Sequence, residues 1–311
     1  MAETLAWIGL GNIGRGIVKN LIQKGPQSNL ILYNRTISKA TAFSSTLEKG
    51  KVTVASTVSD AVKSASIIFV CVGDDAAVES VINAIISEES GDISSKTVVD
   101  CSTVHPDTTR KVQKLLAARD AAFVACPVFG APAAADAGQL VVVPAGPVES
   151  VKKITPYLTG VTARGIIDMS GQDVGRASLL KVLGNTFILN MVETLGEALV
   201  VAEKSGLGTD VYQQWVNAFF PGPVAGYATR MLSGDYYQRE EPLFAVDLAR
   251  KDLRHAMTVA KDSGMRLRSV EVADAYLKEV KAERGEKGDV AAVYGAIRKE
   301  SGLDFENGGQ K

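Results

Sequence analysis

Short, largely apolar runs punctuate the first half of the chain at 5–9, 30–33, 52–55, 67–72, 97–101, 122–126 and 140–143. In Ile67-Ile68-Phe69-Val70-Cys71-Val72 the hydrophobicity is unbroken rather than alternating, the pattern of a strand covered on both faces. Between the runs lie stretches long enough for helices, at 14–24, 38–49, 75–87 and 106–119. Strand and helix alternating in this way build a parallel, doubly wound sheet. The pattern predicts an α/β Rossmann-type doubly wound sheet domain over residues 1–172.

Beyond about residue 170 the pattern changes. Residues 175–205 read as one long helix, apolar over much of its circumference through Leu179, Leu180, Val182, Leu183, Phe187, Ile188, Leu189, Val192, Leu195 and Leu199. At about 1.5 Å per residue it spans roughly 45 Å, more than one small domain needs. A helix apolar on most sides must be covered on most sides, here by further helices, some of them from a second subunit. Lys181, Asn185, Asn190, Glu193 and Glu197 lie within this stretch and argue against a membrane span. Segments 210–219, 246–263, 270–284 and 290–300 also read as helices, and the tail from about Asp304 reads as loose. Residues 173–311 are therefore expected to form an all-helical substrate and dimerisation domain that starts with the long interdomain helix.

Composition narrows the function classes. The 311 residues suit two domains, and 46% hydrophobic against 22% charged residues is the balance of a globular protein. With 34 Lys and Arg against 35 Asp and Glu, the formal net charge of -1 gives no electrostatic reason to expect nucleic acid or an anionic membrane as partner. Cys71, Cys101 and Cys126 form no CxxC pair and read as reduced thiols. No charged segment followed by an apolar stretch precedes the glycine loop, so a secretory signal is not expected and a cytoplasmic protein is. Two histidines without a ligand-like cluster give no support to a metal site.

Gly9-Leu10-Gly11-Asn12-Ile13-Gly14 is a G-x-G-x-x-G set directly after a predicted strand and before a predicted helix. The first glycine permits a tight turn, the second lets the backbone approach a pyrophosphate, and the third allows close helix–strand packing. A lone motif of this kind is weak evidence; the strand–loop–helix context makes it a dinucleotide site. NAD sites place an acidic residue at the end of the second strand to hold the ribose 2′-hydroxyl. Here that strand ends Tyr33-Asn34-Arg35-Thr36, with no acid nearby. A guanidinium beside amide and hydroxyl groups suits a 2′-phosphate, so NADP is the expected cofactor.

Lys181 lies inside the apolar helical run, where an ammonium is costly unless paired and a lysine changes pKa readily. That makes it a candidate acid/base. Asn185 falls one turn further on the same face and could fix the amine or a substrate. Position alone leaves open a snorkelling lysine in the first turns of the helix. His105, next to Pro106, reads as a helix start.

Taken together, the motifs resemble the β-hydroxyacid dehydrogenase family, which includes 3-hydroxyisobutyrate dehydrogenases and glyoxylate/succinic semialdehyde reductases, with imine reductases as relatives. The resemblance runs from about residue 5 to 300 in ordered blocks: the glycine loop; Asp100-Cys101-Ser102-Thr103 with Pro106; Pro127-Val128-Phe129-Gly130-Ala131; Gly175, Lys181 and Asn185; Phe244, Leu248, Lys251, Asp252 and Leu253; and Gly288-Asp289. It implies a Rossmann domain followed by a helical one, and a homodimer or homotetramer sharing the long helix. It implies Lys181 and Asn185 as the catalytic pair, with Lys251 on cofactor or substrate. It further implies Cys71, Val72 and Thr103 beside the cofactor, and Ser102, Phe129, Gly130, Ala131 and Phe244 toward the substrate.

One block departs from the family pattern. Where relatives read S-G-G, this chain has Phe129-Gly130-Ala131, which removes a hydroxyl donor and adds apolar bulk. The reading that results is an NADP-dependent oxidoreductase moving a hydride between the nicotinamide and a small β-hydroxyacid or its semialdehyde or ketone. The alternatives are reduction of imines or bulkier carbonyl compounds and, from another class, an inactive cofactor-binding protein, which would be expected to have lost the lysine or the glycine loop.

Overall fold

The computed structural model describes residues 3–26 and 29–308, which divide into two compact units, one ending at Lys181 and the other starting at Val182. The division falls inside the long helix, Gly175–Lys204.

The first unit holds strands β1 (Thr4–Ile8), β2 (Asn29–Tyr33), β3 (Val52–Val54), β4 (Ile67–Val70), β5 (Thr97–Asp100), β6 (Ala122–Ala125), β7 (Val128–Phe129), β8 (Leu140–Val142), β9 (Ala145–Gly146), β10 (Ala163–Ile166) and β11 (Met169–Ser170). Helices Asn12–Lys24, Ile37–Ser44, Val58–Lys63, Asp75–Ile85 and Pro106–Ala117 alternate with the first six strands. Those strands are parallel and run in the order β3-β2-β1-β4-β5-β6, so the winding reverses between β1 and β4. In such sheets the crevice outside the strand carboxyl ends at the reversal is where ligands bind.

Unbroken hydrophobicity has the structural basis the sequence pattern predicts. Leu5, Trp7, Ile67 and Phe69 enter one core, whereas Ala6, Ile8, Ile68 and Val70 enter a second on the opposite face. Helices cover both faces, so each residue of a central strand needs an apolar side chain. Trp7 stacks on Phe69, with ring centroids 5.6 Å apart, and its indole N–H donates to the Gly9 carbonyl at 2.7 Å. The core thus grips the loop that follows β1.

The run 140–143 departs from expectation. Rather than extending the parallel sheet, β8 joins β7 and β10 in a separate three-stranded sheet. Pro144 follows, and a proline cannot donate to a ladder. Beyond it the chain re-enters the main sheet as β9, antiparallel to β6, with β11 at its edge. These strands are too short for a period to show, as are the helices Val58–Lys63, Pro132–Ala137 and Val148–Ile154, absent from the sequence reading.

Among the described residues the second unit carries no strand. It consists of the remainder of the long helix with Thr209–Phe219, Pro223–Leu232, Asp235–Gln238, Val246–Asp262, Arg268–Arg284 and Val293–Glu300. Their buried faces share one core, in which Leu189, Val192, Leu199, Leu253, Leu277 and Ile297 take part. The expectation of a loose tail from Asp304 is corrected. The Asp304 carbonyl accepts from Arg298 Nε at 2.9 Å, Phe305 packs on the helical core, and the Asn307 amide donates to the Leu232 carbonyl at 2.9 Å. Only residues 309–311 of that tail lie outside the described residues. No helix among the described residues is long and apolar enough to cross a membrane.

Candidate active site

Each glycine of the loop has its own constraint. Gly9 has φ +103°, and a Cβ there would come within 2.1 Å of the Cys71 carbonyl oxygen. Gly14 lies so close beneath the loop that a Cβ would sit 2.5 Å from the Gly9 oxygen. Gly11 is different: a Cβ would meet no protein atom within 4 Å. The fold therefore does not require a glycine at that position, and close approach of a ligand to the backbone does. Gly11 is also the N-cap of Asn12–Lys24 and has no side chain to accept from the first-turn amides, which suits an anion at this helix end. The loop fits a dinucleotide pyrophosphate. Leu10 is buried, Ile13 packs against the core, and Asn12 Oδ1 accepts from Arg15.

At the end of β2, Asn34 braces the loop. Its Oδ1 accepts from the Leu10 N–H at 3.0 Å and its Nδ2 donates to the Thr36 carbonyl at 3.1 Å. Arg35 and Thr36 are exposed just beyond, where the helix Ile37–Ser44 begins. Among these residues there is no carboxylate to repel a phosphate.

Segments after β4 and β5 complete the edge. Ser102, buried after β5, accepts from the Val72 N–H at 2.9 Å, and its own N–H donates to Asp100 Oδ1 at 2.9 Å. The Ser102 hydroxyl thus ties the two strand ends together, and Thr103 lies half-buried beside it. Burial pushes the Cys71 thiol up to about 12; the Asp100 charge adds to this and the Lys181 ammonium opposes it. Cys71 therefore stays a neutral thiol at any ordinary pH, within electrostatic reach of Lys181. The Cys101 thiol, hydrogen-bonded to Cys126 and buried, is likewise held well above its usual value.

Lys181 belongs to this first unit and is half-buried. Its Nζ lies over the Phe129 ring, 4.6 Å from the centroid. Phe129 is fixed by strand pairing with Val141, while the exposed Gly130 and Ala131 lead into Pro132–Ala137. The long helix is anchored at its start. Asp173 Oδ1 accepts from the Gly175 N–H at 2.9 Å, Arg110 Nε donates to Asp173 Oδ2 at 2.8 Å, and Thr109 and Ser178 share a buried hydroxyl contact of 2.7 Å. A Cβ on Gly175 would collide with the Arg110 guanidinium. Sequence reasoning missed this anchor, although an Asp just ahead of a helical run is an N-cap signal. His105 caps Pro106–Ala117 through its Nδ1, as the neighbouring proline indicated.

In the second unit Asn185, Lys251 and Asp252 are buried together. Asp252 Oδ2 accepts from Asn185 Nδ2 at 2.6 Å, and Asp252 Oδ1 lies 3.1 Å from Lys251 Nζ. Phe244 is half-buried against the helical core, and its N–H donates to Asp289. Asp289 also accepts from Leu243 and Ala291 N–H groups and from Arg230, which makes the late Gly-Asp pair a structural node.

Comparison with known proteins agrees with this architecture. Residues 4–171 match the family model of the NAD-binding domain of 6-phosphogluconate dehydrogenase, and residues 175–297 that of the NAD-binding domain of NADP-dependent 3-hydroxyisobutyrate dehydrogenase. The NADH-dependent oxidoreductase ucdB of Aspergillus ustus is 38% identical over 94% of this chain and 98% of its own length. Among solved structures, Psf3 in complex with NADP+ and 2-OPP superposes with a TM-score of 0.82 at 22% identity, over 94% of this chain and 99% of that one. The 3-hydroxyisobutyrate dehydrogenase of Mycobacterium tuberculosis gives 0.78 at 21% identity, over 96% and 100%. Relatives named oxidoreductases and the two dehydrogenase domains make this chain a pyridine-nucleotide oxidoreductase.

Proposed function

The chain belongs to the β-hydroxyacid dehydrogenase family, and on that premise we propose that it is an NADP-dependent reductase of small carbonyl compounds, of the kind formed from β-hydroxyacids, with Lys181 as general acid/base. One observation carries this reading. The Lys181 charge is felt at the thiol of Cys71, the residue after β4 whose carbonyl packs on Gly9 of the cofactor loop. An amine and a nucleotide loop are thus brought to the same edge of one sheet.

The loop 9–14 would hold the pyrophosphate, Arg35 and Thr36 the 2′-phosphate, and Cys71, Val72 and Thr103 the flank of the nicotinamide. When bound, the cofactor supplies or takes the hydride. Lys181 Nζ donates its proton to the carbonyl oxygen in reduction and, as the free amine, takes the hydroxyl proton in oxidation. Asn185, one helical turn further on, orients amine or substrate, and Lys251 contacts cofactor or substrate. Although the Aspergillus relative is named for NADH, the strand end Asn34-Arg35-Thr36 favours NADPH here.

Turnover is tested by following NADPH consumption with glyoxylate, succinic semialdehyde, larger aldehydes and a cyclic imine. Lys181→Ala should lower kcat by about 10²–10⁴-fold while cofactor affinity is kept. Undiminished turnover in that variant would refute the assignment. A second copy of the chain is the natural cover for Leu183, Phe187, Trp215 and Phe219, which are all exposed. Sedimentation should therefore give a homodimer or homotetramer. Three free cysteines suit the cytoplasm.

A further inference from the structure

The side chains around the Lys181 amine in the first unit are unusual for a site that would bind an anionic substrate. Its Nζ faces the Phe129 ring at 4.6 Å, and its neighbour Cys71 is an uncharged thiol. The segment 129–131 carries no side-chain donor at all: a phenyl ring, a glycine and a methyl group. Both partners of the contact are rigidly mounted. Phe129 is pinned by its pairing with Val141, and its ring packs against the core cluster that Leu180 also joins. Lys181 rises from a helix start fixed by Asp173, Arg110 and the Thr109–Ser178 pair. The contact is a built feature rather than a chance approach of two mobile chains.

An aromatic face attracts an ammonium and holds it without competing for its N–H donors in the way a carboxylate would. The same face offers nothing to a carboxylate oxygen, whose desolvation against it would go uncompensated. An aliphatic or aryl group loses nothing by that contact and gains buried area.

We infer that Phe129 is the specificity-determining residue of this enzyme: it positions the Lys181 ammonium over its ring and gives the site an apolar wall, so that the substrates are aldehydes and ketones flanked by aliphatic or aromatic groups rather than by a carboxylate. This rests on the reading of Lys181 as proton donor and sets the carbonyls of β-hydroxyacids, which carry a carboxylate, outside the preferred substrates of that site.

A matched pair of aldehydes tests it. Succinic semialdehyde and isocaproaldehyde have the same skeleton, with a carboxylate in one where the other has an isopropyl group. With NADPH, the unaltered enzyme should favour isocaproaldehyde in kcat/KM by about tenfold or more. Phe129→Ser should shift that ratio toward the semialdehyde by about tenfold or more. Phe129→Leu keeps the apolar wall but not the ring, so KM for isocaproaldehyde should hold while kcat falls about 3–30-fold, and Phe129→Tyr should recover most of that kcat. The Leu and Tyr pair decides the matter if the Ser variant does not fold. A ratio unmoved by Phe129→Ser, or a kcat unmoved by Phe129→Leu, overturns this inference and leaves the hydride-transfer reading standing. Failure of the unaltered enzyme to turn over any carbonyl compound with either nicotinamide overturns both.

Discussion

The Asp252 carboxylate accepts from the Asn185 carboxamide at 2.6 Å, with both side chains buried. A carboxylate only accepts, so it dictates which end of the amide faces it. Lys251, 3.1 Å from the other carboxylate oxygen, keeps the charge paired. Asp252 thus fixes the orientation of the Asn185 amide, a relationship that its place between Lys251 and Leu253 does not reveal. Asp252→Asn removes the constraint on the amide, and with Asn185 in its proposed role kcat should fall by about 10–100-fold. Asp252→Ala should in addition lower stability by roughly 1–3 kcal/mol, because the buried Asn185 amide and Lys251 ammonium would both lose this carboxylate. Steady-state kinetics and chemical denaturation check the two effects. An unchanged kcat in Asp252→Asn would mean that the orientation of Asn185 does not matter.

The proposed preference for NADPH is tested at Arg35. It is exposed beyond β2, so its removal should not disturb the fold. Arg35→Ala should weaken NADPH binding by about 10–100-fold, the value of charge-assisted hydrogen bonds to a phosphate, and should leave NADH nearly untouched. Fluorescence titration of both cofactors measures this directly. Equal losses for the two would show that no 2′-phosphate is read at this position.

The anchor of the long helix has a pH signature. Burial alone would raise the Asp173 carboxyl, but the Gly175 N–H and the Arg110 guanidinium together hold it below the ordinary carboxylate value. A group with a lowered folded-state pKa stabilises above its unfolded pKa and loses that contribution as the pH falls through the folded one. Melting temperature should therefore drop more steeply on acidification in the native protein than in Asp173→Asn. The pair is partly exposed and screened, so the difference at neutral pH should amount to about 1 kcal/mol at most. Parallel curves for the two proteins would show that this carboxylate adds nothing.

Much of this protein is legible before any coordinates. The apolar runs locate the parallel strands, most clearly the central ones, which are covered on both faces, and the long helix declares itself by length. The sequence reading failed where elements are too short to show a period, as at β7, β9 and β11, and where the run 140–143 pairs with β7 and β10 outside the main sheet. At the candidate site, the glycine loop, Arg35 and Lys181 stand out by residue type and context. The ring–amine contact and the Asn185–Asp252 bond do not, because each joins residues far apart in the chain: Phe129 with Lys181, and Asn185 with Asp252. Periodicity reports which face of an element is buried, not which neighbour it meets there.

Two glycines of one loop should respond to the same substitution in opposite ways. Gly9 has φ +103°, and a Cβ would lie 2.1 Å from the Cys71 carbonyl oxygen, so Gly9→Ala combines backbone strain with overpacking. It should lower stability by about 2–5 kcal/mol. Gly11 has φ -68° and ψ -179°, which alanine adopts freely, and its Cβ would meet no protein atom within 4 Å. Gly11→Ala should melt at or slightly above the native temperature, since alanine restricts the unfolded chain more than glycine does. Its NADPH affinity should nevertheless fall by about tenfold or more, because the added methyl group stands where a pyrophosphate must approach. Calorimetry and cofactor titration on the two variants separate the glycine the fold needs from the glycine the ligand needs. Native-like NADPH binding by Gly11→Ala would mean that the loop, despite its place after β1, does not cradle the cofactor.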